Sequence, residues 1–206
     1  MLPFRFKSEL WTAQYTGVKA ATLGAFILHI KEADPDTIYY HLYRNLFEYH
    51  FLPTDFPNSF AYWLAENGFH VLAEKFSAVD ITEYTSLKEV KDKLVALLEE
   101  SPDDRERVCK PFYFIRAVRS VINLGISAGN LSELIDGIRK AGIYSLFYHL
   151  VSSRLVSREA TNDFSRWLSD IGEDKKAQAI ESIDLSTMSL YEAKDRIIEI
   201  LEGEKW

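Results

Sequence analysis

Apolar positions along this chain fall mostly at helical spacing. Leu87, Val90, Leu94 and Leu97 recur every three or four residues, which puts them on one face of a helix. The segment "SLKE" (Ser86 to Glu89) precedes that stripe and "SLYE" (Ser189 to Glu192) precedes a similar one, each matching the capping box that starts a helix. Upstream, helices are predicted from Thr22 and from Asn130, where "NLSE" supplies an N-cap and a Glu three residues later. Further helices carry Ile38, Leu42 and Leu46 in one case and Leu146 and Leu150 in the other, then open at Asn58 and Asn162, and follow near Val71 to Ser77 and at "KKAQAIES". Only "FRF" and "FYF" alternate, which predicts short extended segments at Phe4–Phe6 and Phe112–Phe114. The expected fold class is therefore all-α, a mainly helical bundle.

The paired elements come from an internal repeat. "PFRF" aligns with "PFYF", "TGVKAATL" with "LGISAGNL", and His41 with His149, without a gap. Beyond the histidines the first copy is slightly longer, and "NSFAYWL" matches "NDFSRWL" while "SLKEVKDKL" matches "SLYEAKDRI". A period of about 100 residues is too long for a solenoid unit and indicates duplicated half-domains related by a pseudo-twofold. The expected organisation is residues 1–101 as a first helical repeat, 102–110 as a charged joint and 111–206 as a second repeat, together forming one globular unit. The apolar strand-like segments need cover, so neither half is expected to fold alone.

Laid out in this way, the chain resembles an uncharacterised prokaryotic family, domain of unknown function 5752. The resemblance rests on "TIYYHL", "NSFAYWL", "LAEKFSAVD" and "SLKEV" in the first half and on "NLSEL", "SLFYHL", "NDFSRWL" and "SID" in the second. It implies no activity. It does imply a difference between the copies, because the family's Asn-Asp-Phe pattern is kept at Asp163 but carries Ser59 in the first copy.

Composition narrows the function classes. The 206 residues carry a net charge of −7, which disfavours nucleic acid and anionic membranes, since both attract clustered Lys and Arg. The single cysteine, Cys109, forms no intramolecular disulfide, the start "MLPFRFKSEL" lacks the apolar run of a signal peptide, and charges interrupt every apolar stretch. These features predict a soluble cytoplasmic protein. No Walker loop, GxGxxG, GxSxG, HExxH or CxxC occurs, so no cofactor and no metal are expected.

The repeated polar residues are the candidates for chemistry. His41 lines up with Thr37 and Asn45 on one helix face, as His149 does with Ser145 and Ser153. A buried hydrogen-bond bridge is the preferred reading for both histidines, with ligand binding or acid/base work as the alternative. If a ligand site exists it belongs to the second copy, where His149, Asn162, Asp163, Trp167 and Arg154 could line it; an indole beside an amide and a carboxylate suits a sugar or a nucleotide, and a sugar or sugar phosphate is the expected ligand. Their counterparts His41, Asn58, Trp63 and Asp80 are assigned structural roles. The resulting expectation is a protein-interaction or regulatory module without catalysis, acting on a protein partner. A small-molecule or carbohydrate binder or enzyme, with its site at the second-copy motif, is the alternative.

Overall fold

A computed structural model of the chain describes residues 2–48, 56–80, 82–185 and 187–203. It corrects the all-α expectation, and with it the helical bundle. Two long strands, β1 (Phe4–Thr22, 19 residues) and β2 (Val108–Ala128, 21 residues), pair as a two-stranded sheet, so the fold is α+β. Thr16 bonds to Phe114, Gln14 to Arg116 and Glu9 to Arg119, so numbering rises on one strand as it falls on the other and the pair is antiparallel. The predicted extended segments are only the buried ends of these strands. In β1, residues 12–19 are exposed on both faces, and a ribbon with no buried face carries no period-2 apolar pattern.

Each strand leads into five helical segments in the same order. After β1 come α1 (Leu23–Glu32), α2 (Pro35–Glu48), α3 (Ser59–Glu66), α4 (His70–Ser77) and α5 (Leu87–Glu99). After β2 come α6 (Leu131–Lys140), a long helix, then α9 (Asp163–Asp170), α10 (Asp174–Glu181) and α11 (Leu190–Glu202). The long helix consists of α7 (Ile143–Phe147), a π-helical segment (Tyr148–Ser152) and α8 (Ser153–Ser157). The predicted caps are present: Thr22, Asn58, Asn130, Asn162, Ser86 and Ser189 each accept an amide of the first helical turn. Ser189 and Glu192 complete a reciprocal capping box, whereas Glu89 reaches past Ser86 to the Thr85 amide. Between α3 and α4, and between α9 and α10, the chain turns at Gly68 and Gly172, whose φ of +80° and +83° suit glycine after a helix end.

The chain forms two compact units whose boundaries fall inside the strands. One comprises residues 11–118 and holds α1–α5 with the end of β1 and the start of β2. The other comprises residues 1–10 and 119–206 and holds α6–α11 with the start of β1 and the end of β2. Each set of helices thus packs on the aromatic strand end written in the other copy. In the α1–α5 unit, Phe26 stacks on Trp63 at 4.4 Å and meets Phe112 edge-on at 5.2 Å. In the α6–α11 unit, Phe4 stacks on Phe164 at 5.2 Å, and Phe6 lies so close to α6 that a β-carbon on Gly137 would sit 2.3 Å from its Cε2. A lysine closes the end of the first helix in both units. Lys91 donates to the carbonyls of Lys31 and Ala33, and Lys194 to those of Arg139 and Ala141, satisfying acceptors that a helix end leaves open.

Candidate functional site

The histidines explain why the strand ends are held. His149 is buried in the π-helical segment, and its Nε2 accepts the Lys7 backbone N–H at 2.9 Å. One helical turn earlier, the Ser145 hydroxyl donates to the Lys7 carbonyl at 2.6 Å, so both peptide groups of that residue are fixed. Because Nε2 is an acceptor here, the ring proton of the neutral imidazole sits on Nδ1, which donates to Asp163 Oδ2 at 2.7 Å. Burial holds the imidazole below its ordinary pKa, and the Asp163 hydrogen bond and charge work in the opposite direction. Asp163 also pairs with Arg166, which in turn pairs with Glu159. With both ring nitrogens engaged, His149 has no lone pair to offer a substrate.

His41 makes the same latch with a different backing. Its Nε2 accepts the Ile115 backbone N–H at 3.0 Å, which again leaves the proton on Nδ1. That Nδ1 is buried and has no hydrogen-bond partner among the described residues, since Ser59 stands where the other copy has Asp163. Burial, aided by the Arg44 charge, pushes the His41 pKa down to about 3.

The other candidates divide between tying the fold together and lining a cleft. Trp63 donates its indole N–H to the Lys110 carbonyl of β2 at 2.7 Å and Trp167 to that of Leu2, just before β1, at 3.3 Å, so each pins the start of a strand. Trp167 is only 6% exposed and meets Phe4 in a T-shaped contact at 6.0 Å, so it belongs to the aromatic core as well as to the cleft wall. Asn58 and Asn162 cap α3 and α9, and their amide groups reach the Phe76 carbonyl and the Glu181 carboxylate. Arg154 is tied to Glu181 at 2.7 Å and to the Ala160 carbonyl. Asp80 accepts from the Thr82 amide and hydroxyl, forming a local turn.

In the α6–α11 unit a cleft of about 880 Å³ brings together His149, Asp163 and Trp167, but neither Asn162 nor Arg154. Its remaining charged lining is Arg5, Lys7, Arg166 and Asp170. The three cations escaped sequence reasoning, although a comparison of the copies could have found them. At the positions equivalent to Arg5, Lys7 and Arg166 the α1–α5 unit has Tyr113, Ile115 and Tyr62. A second cleft, of about 500 Å³, lies in the α1–α5 unit and is lined by Gln14, Thr16, His29, Glu32, Asp34 and Arg116 among others. No group of three or more His, Cys, Asp or Glu side chains that could hold a metal occurs among the described residues. No described helix is long and apolar enough to cross a membrane.

A strand feeding five helical segments, written twice and latched by a buried histidine each time, defines an α+β protein built around two aromatic strand ends. The chain belongs to the family of unknown function DUF5752, whose model matches residues 1–202. The solved structure of OrfY from Thermoproteus tenax is similar to it, with a TM-score of 0.82 at 29% sequence identity, covering 98% of this chain and 95% of that one. None of the curated proteins matches.

Proposed function

We propose that this chain is a cytoplasmic binding module rather than an enzyme built on its repeated histidines, and that the cleft of the α6–α11 unit is its site. The observation that carries this reading is the uneven lining of equivalent positions. Arg5, Lys7, Asp163 and Arg166 surround the cleft in the α6–α11 unit, while Tyr113, Ile115, Ser59 and Tyr62 occupy those places in the α1–α5 unit. Stability of the fold does not require this charge, because the α1–α5 unit holds its strand end with the same histidine and tryptophan bonds and none of these cations. The volume lies within the range of about 300–1,000 Å³ usual for small-molecule sites. His149 supports the cleft by fixing the strand that carries Arg5 and Lys7, and its engaged nitrogens argue against a general base.

The test is a thermal-shift screen of the full chain against small metabolites of varied charge. A ligand that prefers the native state raises the midpoint. The expected result is a saturable shift that disappears on Lys7→Glu. A screen in which no small molecule shifts the midpoint would overturn the reading. A protein partner is the second reading, favoured by Tyr62 and Tyr113, which are 56% and 57% exposed at the positions equivalent to Arg166 and Arg5. Binding of a partner protein that Tyr62→Ala and Tyr113→Ala abolish, with no small-molecule shift, would favour it.

A further inference from the structure

We infer that the cleft of the α6–α11 unit anchors its ligand through a phosphate group held by Arg5, Lys7 and Arg166. The inference rests on the binding reading above and names the chemistry of the group recognised. Arg5 and Lys7 alternate along β1 with the buried Phe4 and Phe6, so both cations project from the same side of the strand. Residues two apart on one strand face lie about 7 Å from each other, which places two like charges side by side. Neither cation has a carboxylate within ion-pair distance among the described residues. Asp163, one of the two acids lining the cleft, is already committed to the His149 ring N–H and to Arg166.

Arg166 enters the cleft from α9 and is steered by two carboxylates, Asp163 and Glu159. Its Nη1 donates to Glu159 and its Nη2 to Asp163, and the five N–H donors of a guanidinium outnumber these bonds, so donors remain for an oxyanion. Among the lining side chains three cations, Arg5, Lys7 and Arg166, face two acids, Asp163 and Asp170, and Glu159 outside the lining offsets Arg166, so the charge left for a ligand is that of Arg5 and Lys7. The positive field reaches the buried ring as well, since Lys7 and Arg166 both push the His149 pKa down. The strand is also set in advance. Lys7 has its N–H on His149 and its carbonyl on Ser145, and Leu2 has its carbonyl on Trp167, so little backbone freedom remains to be lost on binding. Asp170 is left as an acceptor for hydroxyl groups on the remainder of the ligand.

The experiment is calorimetric titration of the full chain, in a phosphate-free buffer, with inorganic pyrophosphate, with a hexose phosphate and with the same hexose unphosphorylated. The phosphorylated probes are expected to bind at least about tenfold more tightly than the neutral sugar, about 1.4 kcal/mol, and to weaken as salt is raised. Arg5→Gln with Lys7→Gln is expected to cost a further tenfold or more, while Arg116→Gln in the other cleft changes nothing. Both glutamine substitutions fall on exposed side chains, so an unchanged unfolding midpoint without ligand shows that the fold is intact. Phosphate binding that survives the double variant would place the anion elsewhere and overturn the inference. Neutral ligands that bind the cleft as tightly as phosphorylated ones would overturn the inference and leave the binding reading standing. Absence of binding by every probe here and in the wider screen would overturn both.

Discussion

The α1–α5 and α6–α11 units solve one packing problem with the same bonds and then part company around them. In each, a histidine Nε2 takes a strand amide, a tryptophan N–H takes a carbonyl at the start of a strand and an asparagine caps the next helix. Behind the histidine the units differ. His149 donates its Nδ1–H to Asp163, which Arg166 also neutralises, whereas the Nδ1–H of His41 has no partner among the described residues. A buried unmet donor costs about 1–3 kcal/mol, so the α1–α5 unit tolerates a penalty that the other avoids. The helix differs as well: α2 is continuous, while the segment around His149 is π-helical, a feature often found at functional positions. The shared bonds are what the architecture needs. The differences are where a function can have been added to one copy.

The largest test of the shared part is truncation. A chain ending at Glu106 keeps α1–α5 but lacks Phe112, Phe114 and the Ile115 amide that these helices cover. It is expected to lose cooperative unfolding altogether, as followed by circular dichroism in denaturant. A monomeric fragment with a sharp transition would show that the strand end is dispensable.

Next in size is Gly137→Ala. The new methyl would meet the Phe6 ring at 2.3 Å, and such overpacking costs about 1–3 kcal/mol or more. The first copy has His29 at this position, ring edge against Phe114 at 5.6 Å, so the close fit belongs to the α6–α11 unit alone. Phe6→Leu in the same chain is expected to recover part of the loss. Strict additivity of the two changes in chemical denaturation would mean the contact is not what limits position 137.

Smaller, and more telling, is the contrast between His149→Ala and His41→Ala. The first loses the Lys7 bond and the Asp163 bond, while the second loses the Ile115 bond and also removes an unmet donor. Both should destabilise by about 1–3 kcal/mol, with His149→Ala the costlier by about 1 kcal/mol. Equal losses in urea melts would mean that Asp163 contributes nothing to the latch.

The subtlest test is pH. A histidine whose folded pKa is depressed stabilises fully above its unfolded value of about 6.5, and that stability drains away as pH falls toward the folded value. For His41 the window runs from about 6.5 down to about 3. His41→Gln, which keeps an acceptor but cannot titrate, is expected to flatten the stability profile there. Ser59→Asp should supply the missing acceptor and raise the His41 pKa, read by NMR titration of the imidazole. A His41 pKa that stays put in that variant would show that Ser59 does not face the ring.

Much of this protein is written in short sequence signals. The caps Thr22, Asn58, Asn130, Asn162, Ser86 and Ser189 are local, since a side chain bonds an amide two or three residues on, and the helix starts follow from them. The repeated histidine could be assigned as a buried bridge because a polar ring on an apolar helix must find a partner. What it bridges could not be read, because Lys7 and Ile115 lie far away along the chain and contribute only backbone groups, which every residue has. The strands escaped for a related reason. Their middle residues face water on both sides, so nothing in their polarity alternates. The cleft escaped because Arg5 and Lys7 share a lining with Arg166 only when β1 lies beside α9. Local bonds and helical stripes thus fixed the helices from sequence alone, whereas the strand ends each unit covers, and the charges gathered there, were decided by long-range packing of parts that carry no local mark.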